Sequence, residues 1–124
     1  MTEYKLGAIE RRFADLIWEN APISSGQLVR LCEQELQWKK STTYTVLRRL
    51  CERGLFRNEN GMVTPLVTMA EYETRCSQGF VQEAFSGSLP RFLAAFTGGS
   101  KLSKSEAAAL RKLIDESVDP SKEG

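Results

Sequence analysis

The chain has 124 residues, 41% of them hydrophobic, and a formal net charge of +1. That length suits one domain, or a small domain with an appendage, and the apolar content is enough for a modest core. The absence of histidine excludes Ser-His and Cys-His catalysis and His-rich metal sites, so no enzyme activity, cofactor or metal is expected. Cys32, Cys51 and Cys76 form no Cys-x-x-Cys pair, which points to free thiols rather than a disulfide framework or a zinc ribbon. No stretch approaches the roughly 20 apolar residues of a membrane span. The opening Met1 to Lys5 lacks the apolar run of a secretory leader, so a cytoplasmic protein without membrane insertion is expected.

Leu6, Ile9, Phe13, Leu16 and Ile17 recur at the spacing of an amphipathic helix, which predicts a first helix from about Gly7 to Asn20, with Gly7 and Glu10 in a capping arrangement. Ala21 and Pro22 stop it. Ser24 with Gln27 forms a capping box for a second helix that turns Leu28, Leu31, Cys32 and Leu36 inward. After the link Gln37 to Lys40, Ser41 can cap a third helix whose Thr43, Val46, Leu47 and Leu50 share a face, until Gly54 ends it. A strand over Leu55 to Arg57, a turn over Asn58 to Gly61 and a strand over Met62 to Leu66 complete a hairpin. Helix, helix, helix, hairpin is the order of a winged helix-turn-helix domain.

Thr68 with Glu71 caps a longer helix in which Tyr72, Cys76 and Phe80 are spaced by fours, ending at Ser86, Gly87 and Ser88. A short apolar helix follows from Leu89 to Phe96, then a loop over Thr97 to Lys101, then a last helix capped by Ser103 and lined by Ala107, Leu110, Leu113 and Ile114. The expected fold is therefore mainly α with a small β-hairpin: a winged helix-turn-helix domain over residues 1–67, a three-helix region over 68–118 and a frayed tail over 119–124. The distal helices carry more apolar surface than they can hide alone, including Phe80, Phe85, Leu89, Phe92, Leu93, Phe96, Leu110, Leu113 and Ile114. A second copy of the chain is the natural cover, which makes these the candidate dimerisation residues.

Between Lys39 and Arg57 stand six basic residues, Lys39, Lys40, Arg48, Arg49, Arg53 and Arg57, against Glu52 alone, a local balance of +5. At 100° per residue, the face of the third helix opposite Leu47 and Leu50 presents Ser41, Thr45, Arg48 and Glu52, flanked by Thr42, Tyr44 and Arg49. Hydroxyls can bond phosphates, arginine reaches phosphate or the guanine edge, and threonine methyls meet the thymine methyl. Lys39, Lys40, Ser41, Thr42, Tyr44, Thr45, Arg48, Arg49 and Arg57 are the candidate contacts to double-stranded DNA, with little expected of a hairpin that carries Glu59. A solvated charged face is the plain alternative. A winged-helix module that binds a partner protein instead of DNA is another. Arg48 and Arg49 near Cys51 also raise the idea of a thiol made reactive by positive neighbours.

The strings Leu6-Gly7-Ala8-Ile9-Glu10 with Ile17-Trp18, Thr42-Thr43-Tyr44-Thr45-Val46-Leu47-Arg48-Arg49-Leu50 and Glu52-Arg53-Gly54-Leu55, with Pro65-Leu66-Val67 after the hairpin, resemble the BlaI/MecI/CopY penicillinase-repressor family over roughly residues 6 to 116. The resemblance implies a homodimeric repressor reading an inverted repeat, with DNA contacts at Ser41, Thr42, Tyr44, Thr45 and Arg49. Copper-responsive members carry Cys-x-Cys pairs near the C-terminus, and this chain has no cysteine beyond Cys76. Other members are cut in the short dimer helix by a membrane sensor protease. The corresponding bond here joins Ala95 to Phe96, either a cleavage site or a core position.

Overall fold

A computed structural model describes residues 5–122. Residues 1–4, most of the opening read above for a leader, and residues 123–124 of the expected tail lie outside the described residues. The order is α1 (Ala8–Asn20), β1 (Ile23–Ser24), α2 (Ser25–Leu36), α3 (Lys40–Glu52), β2 (Phe56–Glu59), β3 (Met62–Pro65), α4 (Met69–Phe85), α5 (Leu89–Gly98) and α6 (Lys104–Glu116). The fold class is as expected, mainly helical with a small antiparallel sheet.

The local signals that start these helices are visible as bonds. Gly7 N–H donates to Glu10 Oε1 at 3.3 Å, and the Ser24 hydroxyl accepts from Gln27 N–H at 3.1 Å. Thr68 and Ser103 hydroxyls cap α4 and α6 in the same way, each satisfying an amide that the helix itself leaves free. α3 differs from expectation: Ser41 is not its cap. The helix starts two residues earlier, after Lys39, with the Thr43 N–H already bonded to the Lys39 carbonyl at 3.1 Å. Gln37 takes the left-handed conformation at φ 55° and ends α2, so only Trp38 and Lys39 remain to turn the chain into α3.

The hairpin is tighter than expected. Asn60 and Gly61 both adopt positive φ, 53° and 77°, which is the two-residue turn that matches strand twist and favours Asn-Gly. Asn58 and Glu59 therefore belong to β2, pairing with Val63 and Met62, and not to the turn. A third strand was hidden: β1 pairs with β3 through Ile23 and Val63, giving the order β1-β3-β2. Two residues are too few to show a strand's alternation.

Every buried hydrophobic residue among those described lies between Leu6 and Tyr72. Phe13 and Ile17 of α1, Leu28 and Cys32 of α2, Leu47 and Leu50 of α3, and Leu55, Phe56 and Val63 around the hairpin make one cluster. Ile9, expected inward, is 52% exposed; Ala14 is buried on α1 instead, because the helix turns its Phe13 to Ile17 edge to the core. Thr43 is fully buried, and its hydroxyl has no nitrogen or oxygen partner among the described residues. Its neighbour is the Cys32 thiol, which burial pushes up to about 11 despite that hydroxyl. A buried hydroxyl with only a thiol beside it is poorly compensated for its lost water, so Thr43→Val is expected to raise stability by about 1 kcal/mol. A urea midpoint no higher than wild type would show that the hydroxyl is satisfied.

α4 joins this core through its first half, with Tyr72 in the cluster and Cys76 packed against it. Tyr72 accepts a hydrogen bond from Leu6 N–H at 2.8 Å, and Trp18, which stacks on both Phe56 and Tyr72, donates from Nε1 to the Val67 carbonyl at 2.9 Å. Arg11 lies over the Trp18 and Tyr72 rings and pairs with Asp15 and Glu73. Burial then fades along the series Tyr72, Cys76, Phe80, from buried to half-buried to exposed. α5 runs on to Gly98, taking in Thr97, whose hydroxyl bonds the Leu93 carbonyl at 2.8 Å; the expected loop shortens accordingly. Asp119 folds back into a turn with Ser121 and Lys122.

Candidate nucleic-acid interface

With Thr43, Val46, Leu47 and Leu50 inward, α3 turns Ser41, Thr42, Thr45, Arg48 and Arg49 to solvent, and Lys39 and Lys40 stand exposed at its start. No side chain caps the helix and no acid occupies its first turn, so its free amides and positive dipole end face outward, the arrangement that receives a phosphate. The Thr45 hydroxyl donates to the Ser41 carbonyl at 2.9 Å. That leaves its oxygen free to accept and its methyl free to meet an apolar group.

Tyr44 sits differently from the other candidates. It is half-buried, and its hydroxyl donates to Ser25 Oγ at 3.2 Å. Ser25 in turn donates its N–H to the Gly61 carbonyl at 2.7 Å. Tyr44, the start of α2 and the tip of the hairpin are thus tied together, which fixes the hairpin beside α3. Ser25 carried no signal of this in the sequence, because the bond closes over 19 residues.

The +5 segment is less positive in space than in sequence. Arg49 Nη1 lies 3.1 Å from Glu10 Oε2, and Arg53 Nη1 lies 3.8 Å from Glu10 Oε1. Burial alone would push the Glu10 carboxyl up; the Arg49 hydrogen bond, the Gly7 amide and the charge of Arg53 together hold it below its ordinary value. Arg57 faces Glu59 across 3.8 Å on the hairpin. Among the described residues, Lys39, Lys40 and Arg48 pair with no carboxylate. Local counting missed Glu10 because it comes from α1, far along the chain. Burial and the charge of Glu52 push the Cys51 thiol up against a bond from the Asn58 backbone, the direction opposite to activation by Arg48 and Arg49.

The candidate dimerisation residues gather on the distal helices. Phe80, Phe85 and Phe92 meet edge to face at 5.5 to 6.0 Å, and Phe96 leans on Phe92 at 6.0 Å. Yet no residue of α5 or α6 is buried. Leu89 and Phe96 are each 61% exposed and Leu113 59%, with Phe80 and Ile114 about half exposed and Leu93 and Leu110 half-buried. Ala95 and Phe96 both lie exposed within α5. No helix among the described residues is long and apolar enough to cross a membrane.

Three packed helices, a two-residue hairpin held against the third, and a helical arm with no core of its own define a winged-helix regulator. The chain belongs to the penicillinase repressor family, whose model matches residues 6–116, and is a transcriptional repressor. It is similar to the methicillin resistance regulatory protein MecI of Staphylococcus aureus (strain Mu50 / ATCC 700699), 20% identical over 117 residues that cover 91% of this chain and 95% of that one.

Proposed function

We propose that two copies of this chain, joined through α4 to α6, bind double-stranded DNA in the cytoplasm with one α3 in each of two successive major grooves of a palindromic operator. Residues 1–67 act as the reading domain and 68–118 as the dimer arm. The observation that carries this reading is the outward face of α3, where Thr42, Thr45 and Arg48 stand beside Lys39 and Lys40 without carboxylate partners, backed by a fully packed inner face. Lysines at the helix start position the protein on phosphates, and Arg48 with the threonines reaches base edges. Arg57, matched by Glu59, contributes little. The exposed Ala95–Phe96 bond is where a membrane sensor protease would cut, and a cut there parts α6 from the rest of the arm.

Because phosphate contacts release counterions, replacing both Lys39 and Lys40 by alanine is expected to weaken operator and unrelated DNA alike and to flatten the salt dependence by about one unit of slope per lysine. Gel-shift titrations at several salt concentrations measure this. Unchanged affinity and slope would leave the face without a DNA role, and salt-insensitive capture of a protein by the same face would support an interaction module instead.

A further inference from the structure

The DNA-reading assignment leaves one charged contact without a purpose: the carboxylate of Glu10, on the first turn of α1, placed between Arg49 of α3 and Arg53 at the end of that helix. We propose that Glu10 is a specificity residue, which withholds Arg49 from indiscriminate phosphate contact and so lowers the repressor's grip on unrelated DNA. The inference rests on the DNA-binding reading above.

Glu10 is held from three sides. The Gly7 N–H donates to its Oε1 at 3.3 Å, Arg53 Nη1 lies 3.8 Å from the same oxygen, and Arg49 Nη1 meets Oε2 at 3.1 Å. It also sits where the positive end of the α1 dipole favours an anion. None of these restraints involves DNA, so the acid is fixed before any ligand arrives. Its side chain is only 22% exposed, whereas Arg49 is 54% exposed and belongs to the solvent face of α3. Arg49 is therefore the more accessible member of the pair. Nη1 is occupied, and the charge it offers a phosphate is offset by a carboxylate at contact distance.

On an arbitrary duplex the backbone contacts are undirected, and affinity follows the number of uncompensated cations. An arginine that must leave a carboxylate to reach phosphate adds little there. At an operator, shape and base contacts bring α3 to one depth in the groove, and binding depends less on a single loose cation. Glu10 thus widens the gap between specific and non-specific binding, the quantity that decides occupancy among many competing sites. Arg57 and Glu59 form a looser pair on the wing at 3.8 Å, where the acid is far more exposed than Glu10.

The test is Glu10→Gln. Glutamine at the third helical position has the same shape, and its one carbonyl oxygen can keep the cap on Gly7 while its amide nitrogen cannot accept from Arg49, so the arginine is released; a thermal melt checks that the fold survives. Binding to an unrelated duplex at about 0.1 M salt is expected to tighten about tenfold, the value of one added phosphate contact, with the salt slope steeper by about 0.9. Operator affinity is expected to change by less than about threefold, so the specificity ratio falls. In the Arg49→Gln background, where Arg53 alone still faces residue 10, the same substitution should have a much smaller effect. If Glu10→Gln leaves unrelated DNA and the slope unchanged, or weakens both, or acts equally without Arg49, the proposal is overturned. Operator binding by wild type in that case leaves the repressor reading intact, whereas no binding to any duplex by wild type removes the reading itself.

Discussion

Replacing Phe96 and Leu113 together by aspartate is expected to convert the protein to monomers and to cost about 10² to 10⁴ in operator affinity. Both side chains are about 60% exposed within the protomer, so charges there disturb little of its own packing, but they would be buried without partners if a second copy covers the arm. The affinity loss follows because a joined pair presents the second reading helix at high effective concentration, whereas separate monomers bind each half-site alone. Light scattering reports the mass and a gel shift reports the affinity. A variant that stays dimeric would move the interface off α5 and α6. A monomer that keeps full affinity would show that joining two half-sites is not how this protein binds.

Phe13→Ala is expected to lower stability by about 3 to 5 kcal/mol, a large share of the 5 to 15 typical of a whole domain. Phe13 is fully buried, and its ring lies 5.3 Å from Trp38 in the link between α2 and α3. Truncation therefore removes apolar burial and also the surface on which the helix-turn-helix is set. Ile9→Ala, on the exposed side of the same helix, should change stability by no more than about 0.5 kcal/mol. Urea unfolding separates the two. Equal losses would mean that α1 is rotated from the orientation described here.

The contrast between those two residues bears on how far the sequence could be read. Helical spacing selects Ile9 and Phe13 equally, and only the docking of α1 decides between them. Capping boxes were legible because they are local: Ser24 with Gln27 and Thr68 with Glu71 close over three residues. β1 was not, because two residues draw their strand character from β3. The same division runs through the candidate interface. The buried side of α3 was evident from Thr43, Val46, Leu47 and Leu50, and its outward hydroxyls and cations followed by exclusion. The carboxylate opposing Arg49 and the serine holding Tyr44 arrive from other helices, so charge counted along the chain overstated what reaches the surface.

Footprinting the purified protein on the intergenic DNA beside its own gene tests the reading role of α3 most directly. A dimer using two such helices predicts two protected half-sites about 10 base pairs apart, centre to centre, related by inverted symmetry, with protection lost in the Lys39→Ala, Lys40→Ala variant. Protection that is absent, or spread evenly over any fragment supplied, would contradict it.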